Sequence, residues 1–186
     1  MKATEILKEE HRAIRKMLDV IDKICENLSS NREVPVEDLE GVVEFIRTFA
    51  DRCHHSKEED ILFVALEDSG VPREGGPVGV MLMEHQQGRA YVKGMAEGIY
   101  ALKNGEESGK KMFIENVLNY RELLDLQIYK EDNILYQIAE IHIPGERLHK
   151  MVDEFEEAEK VKVGEGVHQK RHDLLHHLIE KYLNNK

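Results

Sequence analysis

The chain has no tryptophan, only four prolines and two cysteines among 186 residues, and few runs of β-branched residues. With 34% charged and 41% hydrophobic residues, that profile argues against a sandwich or barrel and for helices. Cys25 and Cys53 form no CxxC pair, and each falls near an apolar helical stripe. They are expected as two buried, reduced thiols. No apolar run approaches the roughly 18 residues needed to span a bilayer. The first residues, MKATEILKEE, read as a charged helix start and not as a signal peptide. These absences lead to the expectation of a cytoplasmic protein that does not engage membranes. Positive charge is also scarce: 26 Lys and Arg face 37 Asp and Glu, for a net charge of −11. Nucleic acid and anionic membranes would be repelled, so neither is expected as a partner.

What the chain does have is helical periodicity, almost throughout. A first helix is expected from about Thr4, which can cap it, to Leu28, with a seam of Leu7, His11, Ile14, Leu18, Ile21, Cys25 and Leu28. The turn residues from Ser29 to Pro35 end it. A second runs from about Val36 to Glu67 with Leu39, Val43, Ile46, Ala50, His54, Glu58, Ile61 and Ala65 on one side. A third, about Val78 to Lys103, carries Leu82, His85, Arg89, Val92, Ala96 and Ile99. The fourth, about Lys110 to Ile141, carries Phe113, Val117, Tyr120, Leu124, Gln127, Glu131, Ile134, Ile138 and Ile141. Two shorter helices follow, about 146–160 and 167–182. Short connections favour antiparallel neighbours, so the expected fold is all-α: an up-down-up-down four-helix bundle over residues 1–143. Residues 144–186 form a helical extension that packs on the bundle or on a partner, a homodimer contact being one reading.

Polar residues interrupt these seams. His11, His54, Glu58, His85, Gln127 and Glu131 occupy positions that periodicity assigns to apolar side chains. Burying an ionised carboxylate costs several kcal/mol, so a seam glutamate must be paired, protonated or bound to metal. His11 and His85 lie about 12 Å along their helices, and Glu58 and Glu131 about 15 Å before the ends of theirs. In an antiparallel bundle the six groups therefore share one layer. His54–Glu58 and Gln127–Glu131 are both i,i+4 pairs that project from one helix face. Imidazole with carboxylate suits iron and also accepts zinc, manganese or nickel. A hydrogen-bonded polar layer without metal, and a single metal ion, are the competing readings.

Four blocks carry a resemblance: Glu10-His11, His54-His55-Ser56-Lys57-Glu58-Glu59-Asp60-Ile61-Leu62-Phe63, Glu84-His85-Gln86-Gln87-Gly88-Arg89 and Lys130-Glu131-Asp132-Asn133-Ile134-Leu135-Tyr136. In order and interval, over roughly residues 1–140, the chain resembles the hemerythrin-like cation-binding (HHE) domains. The resemblance implies an antiparallel four-helix bundle with a non-haem di-iron site that binds oxygen, nitric oxide or peroxide. Position by position, His11, His54, Glu58, His85 and Glu131 match metal ligands, with Glu58 and Glu131 as bridges. Glu58 precedes Leu62 by four and Glu131 precedes Leu135 by four, which selects His54 and Glu58 over His55 and Glu59. The latter pair is expected to face a neighbouring helix or solvent. Gln127 departs from the pattern, which has a histidine there, and its neutral amide is a poor iron ligand. His168 and His172 of the C-terminal histidine run are candidates to fold back as replacement ligands, against the plainer reading of solvated histidines on a docking helix. Arg89, pairing with a bridging glutamate or Asp132, and Tyr120 are candidate supports of the pocket.

The functional expectation is a module that binds or senses a small diatomic or peroxide ligand at an open iron position. The alternatives are an enzyme consuming peroxide or nitric oxide, an iron store or donor, and a structural bundle with an idle pocket.

Overall fold

The computed structural model describes residues 2–164 and 166–184. Helix α1 spans Ala3–Ser29 and ends where Asn31 adopts a left-handed conformation at φ 55°. Pro35 then leads into α2, residues 36–68. Helix α3 spans Pro77–Lys103 and begins with proline in its first turn, where the missing N–H costs nothing. Helix α4 covers residues 108–142, α5 spans Gly145–Lys162, and α6 covers residues 167–184. No strand occurs among the described residues, and no helix among them is long and apolar enough to cross a membrane. Thr4 does not cap α1: its hydroxyl donates to Glu140 on α4 at 2.8 Å.

Cross-helix pairs give the topology. Thr4 meets Glu140, His11 meets Asp132 and Arg121 meets Asp22, so α1 and α4 run antiparallel. Lys103 reaches Glu40 and Arg89 reaches Asp51, which makes α2 and α3 antiparallel as well. Helices α3 and α4 approach most closely at Gly98 and Gly109, where a Cβ on Gly109 would sit 2.5 Å from the Gly98 carbonyl oxygen. Any larger residue there would force the pair apart.

Regular α geometry is broken at three places within the bundle helices and at a fourth, Glu180–Asn184, in α6. The stretches Ile46–His55, Glu58–Leu62 and Glu131–Leu135 are wide turns closed by i→i+5 hydrogen bonds. Each such turn inserts a residue, so the buried face moves on by one. Beyond Glu131 the seam therefore continues through Leu135, Tyr136 and Ala139, which are buried, while Ile134 and Ile141 are 47% and 78% exposed. The same shift in α2 buries Leu62, Phe63 and Leu66 and leaves Ile61 only partly covered. An unbroken period of 3.6 had assigned Ile61, Ile134 and Ile141 to the core. In α3, Gly88 takes the inward position and Arg89 is exposed.

Two apolar clusters fill the interior. One contains Leu7, Leu62, Phe63, Leu66, Leu135 and Tyr136, with Leu148, Met151 and Phe155 of α5 completing it. The other contains Leu18, Ile21, Phe45, Phe49, Phe113 and Leu124, with Leu175, Leu178 and Tyr182 of α6. Helix α5 thus packs on α1 and α2 at one end, and α6 on the same two helices at the other. A polar layer separates the clusters.

Candidate metal centre

That layer consists of His11, His54, His55, Glu58, His85, Gln127 and Glu131, none more than 4% exposed. It draws on all four bundle helices. Six of the seven are the polar seam residues, among them the expected ligands His11, His54, Glu58, His85 and Glu131, and the structure brings them together. Donor atoms of His11, His54, Glu58 and Glu131 lie within 4.8 Å of one another, and so do those of His55, Glu58 and His85. Glu58 belongs to both groups.

The imidazoles share one arrangement. Each Nδ1 donates to a carboxylate: His11 to Asp132 at 2.8 Å, His54 to Glu10 at 2.9 Å, His85 to Glu59 at 2.6 Å and His55 to Asp51 at 3.3 Å. These bonds fix the tautomer and leave each Nε2 lone pair facing inward. His11 Nε2 stands 3.2 Å from Glu131, His54 Nε2 3.6 Å from Glu58, and His85 Nε2 3.4 Å from Glu58 and 3.5 Å from Glu131. His54 Nε2, His85 Nε2, Glu58 Oε2 and Glu131 Oε2 are buried and make no hydrogen bond. Buried polar atoms are normally satisfied, so four convergent exceptions need a reason. A pair of cations would supply it, and the mixed imidazole and carboxylate donors fit iron.

Proton chemistry points the same way. Burial and the Glu131 charge push Glu58 up to about 8. Burial would raise Glu131 too, but His11 and His85 hold its anion well below the usual carboxylate range. His11 is raised to about 9 and His85 to about 10: burial opposes charging in both, and the carboxylates around them outweigh it. Burial, helped by His11 and His55, pushes His54 well below its ordinary value. Burial and His85 lower His55 to about 4. Without cations the layer must hold protons in order to bury its charges, and cations would displace them.

Several residues take places that the sequence did not assign. His55, expected to face a neighbouring helix or solvent, is buried and faces the neighbouring α3 from within the layer. Its ring stacks on His85 with centroids 3.8 Å apart, and Gln127 Nε2 lies 3.4 Å from its Nε2. The wide turn Ile46–His55 departs from regular α geometry here, and the consecutive residues His54 and His55 are both buried. The Asp51–His55 pair repeats the i,i+4 spacing of His54–Glu58, which was the signal available. Tyr136, one position beyond the expected seam, donates to Glu58 Oε1 at 2.7 Å. Gln127 donates to Glu131 Oε1 at 3.1 Å. Arg89 pairs with neither bridging glutamate nor Asp132; its guanidinium bonds Asp51 and Glu59, the carboxylates that hold His55 and His85. Tyr120 is buried beside Gly88 and lines a cavity of about 240 Å³ together with Asp51, His55 and Arg89. His172 packs edge-on against Phe49 with centroids 5.4 Å apart, in the apolar cluster and outside both donor groups. The His168 side chain lies outside the described residues.

On the opposite face of α2, Lys57 is buried between Glu10 and Glu159, bonding the first and reaching the second at 2.8 Å. Cys53 donates to the same Glu159 at 3.5 Å. Glu10, Cys53 and Glu159 form a third cluster of donors, but the Lys57 ammonium already pairs with both of its carboxylates. A chain of contacts thus runs from α5 through Glu159, Lys57 and Glu10 to His54. Both Cys25 and Cys53 are buried free thiols, pushed up to about 12 by burial.

Comparison with known proteins agrees with this geometry. An uncharacterized protein of Mycobacterium tuberculosis and another of Mycobacterium bovis are each 21% identical over 164 residues, covering 88% of this chain. The chain spans 64% of the length of these relatives. No solved structure matches. The profile of the hemerythrin HHE cation binding domain matches residues 2–139, and the chain belongs to that family.

Proposed function

We propose that this chain is a non-haem di-iron protein that takes up a small ligand, oxygen, nitric oxide or peroxide, at an open position of its iron pair. His11, His54, Glu58, His85 and Glu131 would hold the irons, with Glu58 and Glu131 shared between them. The observation that carries this reading is the set of four buried donor atoms without hydrogen bonds, aimed at each other across the layer. The iron pair would supply reversible electron donation to the incoming ligand. The protein's part is to hold donor geometry through the Asp132, Glu10 and Glu59 bonds, and to exclude bulk water with the apolar clusters on either side. Ferritin-like oxidases combine four carboxylates with Glu-x-x-His motifs, a more anionic shell that suits high-valent iron. The layer here holds two carboxylates among several imidazoles, which favours binding over oxidation of a substrate.

The test is iron content per chain, with the visible spectrum of the reduced protein before and after exposure to air. Two irons and a band that forms and disappears reversibly are expected; irreversible bleaching with turnover would contradict a binding role. A second reading, consumption of peroxide or nitric oxide, draws support from the 240 Å³ cavity beside His55, which offers room for exchange of substrate and product. Steady-state consumption that is abolished in Glu58→Ala would favour it.

A further inference from the structure

Position 127 lacks the imidazole that the family pattern places on the fourth helix, so the cation nearer α3 is one nitrogen donor short. We infer that His55 supplies that nitrogen, making the adjacent pair His54–His55 a split ligand set that sends one imidazole to each cation. This rests on the di-iron reading above.

Three observations lead to it. First, His55 is wired as the other three imidazoles are, with Nδ1 tied to a carboxylate, Asp51, and Nε2 left facing the layer. Second, the groups it faces are the second donor group itself: a ring nitrogen of His55 lies within 4.8 Å of donor atoms of Glu58 and His85. Third, its neighbour is Gln127. The Gln127 amide nitrogen lies 3.4 Å from His55 Nε2 and 3.1 Å from Glu131 Oε1. The amide thus donates to two atoms that a cation would otherwise bind.

The wide turn of Ile46–His55 makes room for this. It brings both His54 and His55 into the interior while keeping Glu58 one turn further along. His54 then lies toward α1, with its ring 4.5 Å from that of His11, and His55 lies toward α3, stacked on His85. The two histidines straddle the shared Glu58. Arg89 supports the arrangement from outside by bonding Asp51.

The test loads the full chain with Fe2+ under anaerobic conditions and, separately, with Co2+, counting metal per chain and recording the Co2+ absorption bands. Wild type should bind two ions and His55→Ala one, with unchanged helix content. The second Co2+ should weaken by more than about 100-fold, beyond the roughly 10–100-fold typical of losing an outer partner of a ligand. Asp51→Asn, which removes only such a partner, should fall within that smaller range. The double variant His55→Ala, Gln127→His should regain the second ion, because it returns an imidazole to the fourth helix. If His55→Ala fails to fold, His55→Gln keeps the volume and should show the same loss. Two ions bound by a folded His55 variant with wild-type affinity and bands would overturn the assignment while leaving the di-iron reading intact. Fewer than two ions in the wild type would remove the di-iron reading itself, and this inference with it.

Discussion

The two sides of the polar layer are built differently. On the side of α1, His11 and His54 are locked by carboxylates and by the buried Glu10–Lys57–Glu159 chain, with α5 closing over them. On the side of α3, His55 and His85 rest on Asp51 and Glu59, which share the exposed Arg89, and Asp51, His55 and Arg89 border a cavity. Both sides include partly exposed carboxylates, but the cation that holds them is buried on one side, Lys57, and exposed on the other, Arg89. Under the proposed function, ligand exchange is expected on the α3 side, beside the cavity. Glu58 joins the two sides.

Removing that joint should have the largest effect. Glu58→Ala deletes the carboxylate common to both donor groups, and metal per chain should fall from two to near zero by elemental analysis. Retention of one tightly bound ion would show that the sides are independent. Next comes the α1 side. Lys57→Met leaves Glu10 and Glu159 without their cation, and buried charges stripped of a partner cost about 3–5 kcal/mol. The lower end is expected, because Glu159 is partly exposed. Denaturant unfolding measures it, and a loss under about 1 kcal/mol would show that the buried Lys57 does not hold the α1 side.

A third test uses pH on the metal-free protein. His11 and His85, raised to about 9 and about 10, bind protons more tightly when folded. Their contribution is complete below about pH 6.5 and is lost as pH climbs through those values. Glu58, raised to about 8, loses its contribution as pH climbs from about 4.5 to about 8. His55, lowered to about 4, acts in the opposite sense: its contribution is present above about pH 6.5 and lost as pH falls toward 4. Tm should therefore peak between about pH 6 and 7, and Fe2+ should move the peak upward by displacing the protons. A metal-free Tm still rising at pH 9 would argue against this proton balance.

The smallest effect belongs to the α3 side. Arg89→Ala removes an exposed cation whose ion pairs contribute about 0–1 kcal/mol to stability. Tm should hardly change, while the rate at which azide reaches the iron-loaded protein should shift severalfold. A large stability loss with no change in rate would contradict ligand exchange on the α3 side.

Much of the site was legible because ionisable residues at helical seams have few alternatives. His11, His54, Glu58, His85 and Glu131 stood out against apolar neighbours, and all five lie in the buried layer. His55 was not legible. Residues one apart on an α-helix point in directions about 100° apart, so choosing His54 seemed to send His55 outward. That reasoning assumes regular α geometry, which the wide turn Ile46–His55 breaks. Ile134, Ile141 and Ile61 were misplaced for a related reason, since a wide turn advances the register by one residue without marking the sequence. The partners of the imidazoles, Glu10, Asp51 and Glu59, look like ordinary surface carboxylates in a chain so rich in them.

By itself the sequence determined the helices, their stops, the antiparallel order and the presence of a charged layer within an apolar core. Those follow from local periodicity and from the energetic penalty of burying charge, both of which act residue by residue along the chain. Only the tertiary structure decided which neighbours share that layer, because a side chain's exposure depends on what covers its helix. Helices α5 and α6 lie against α1 and α2, and so turn what would be the outer face of α2 into a second interior.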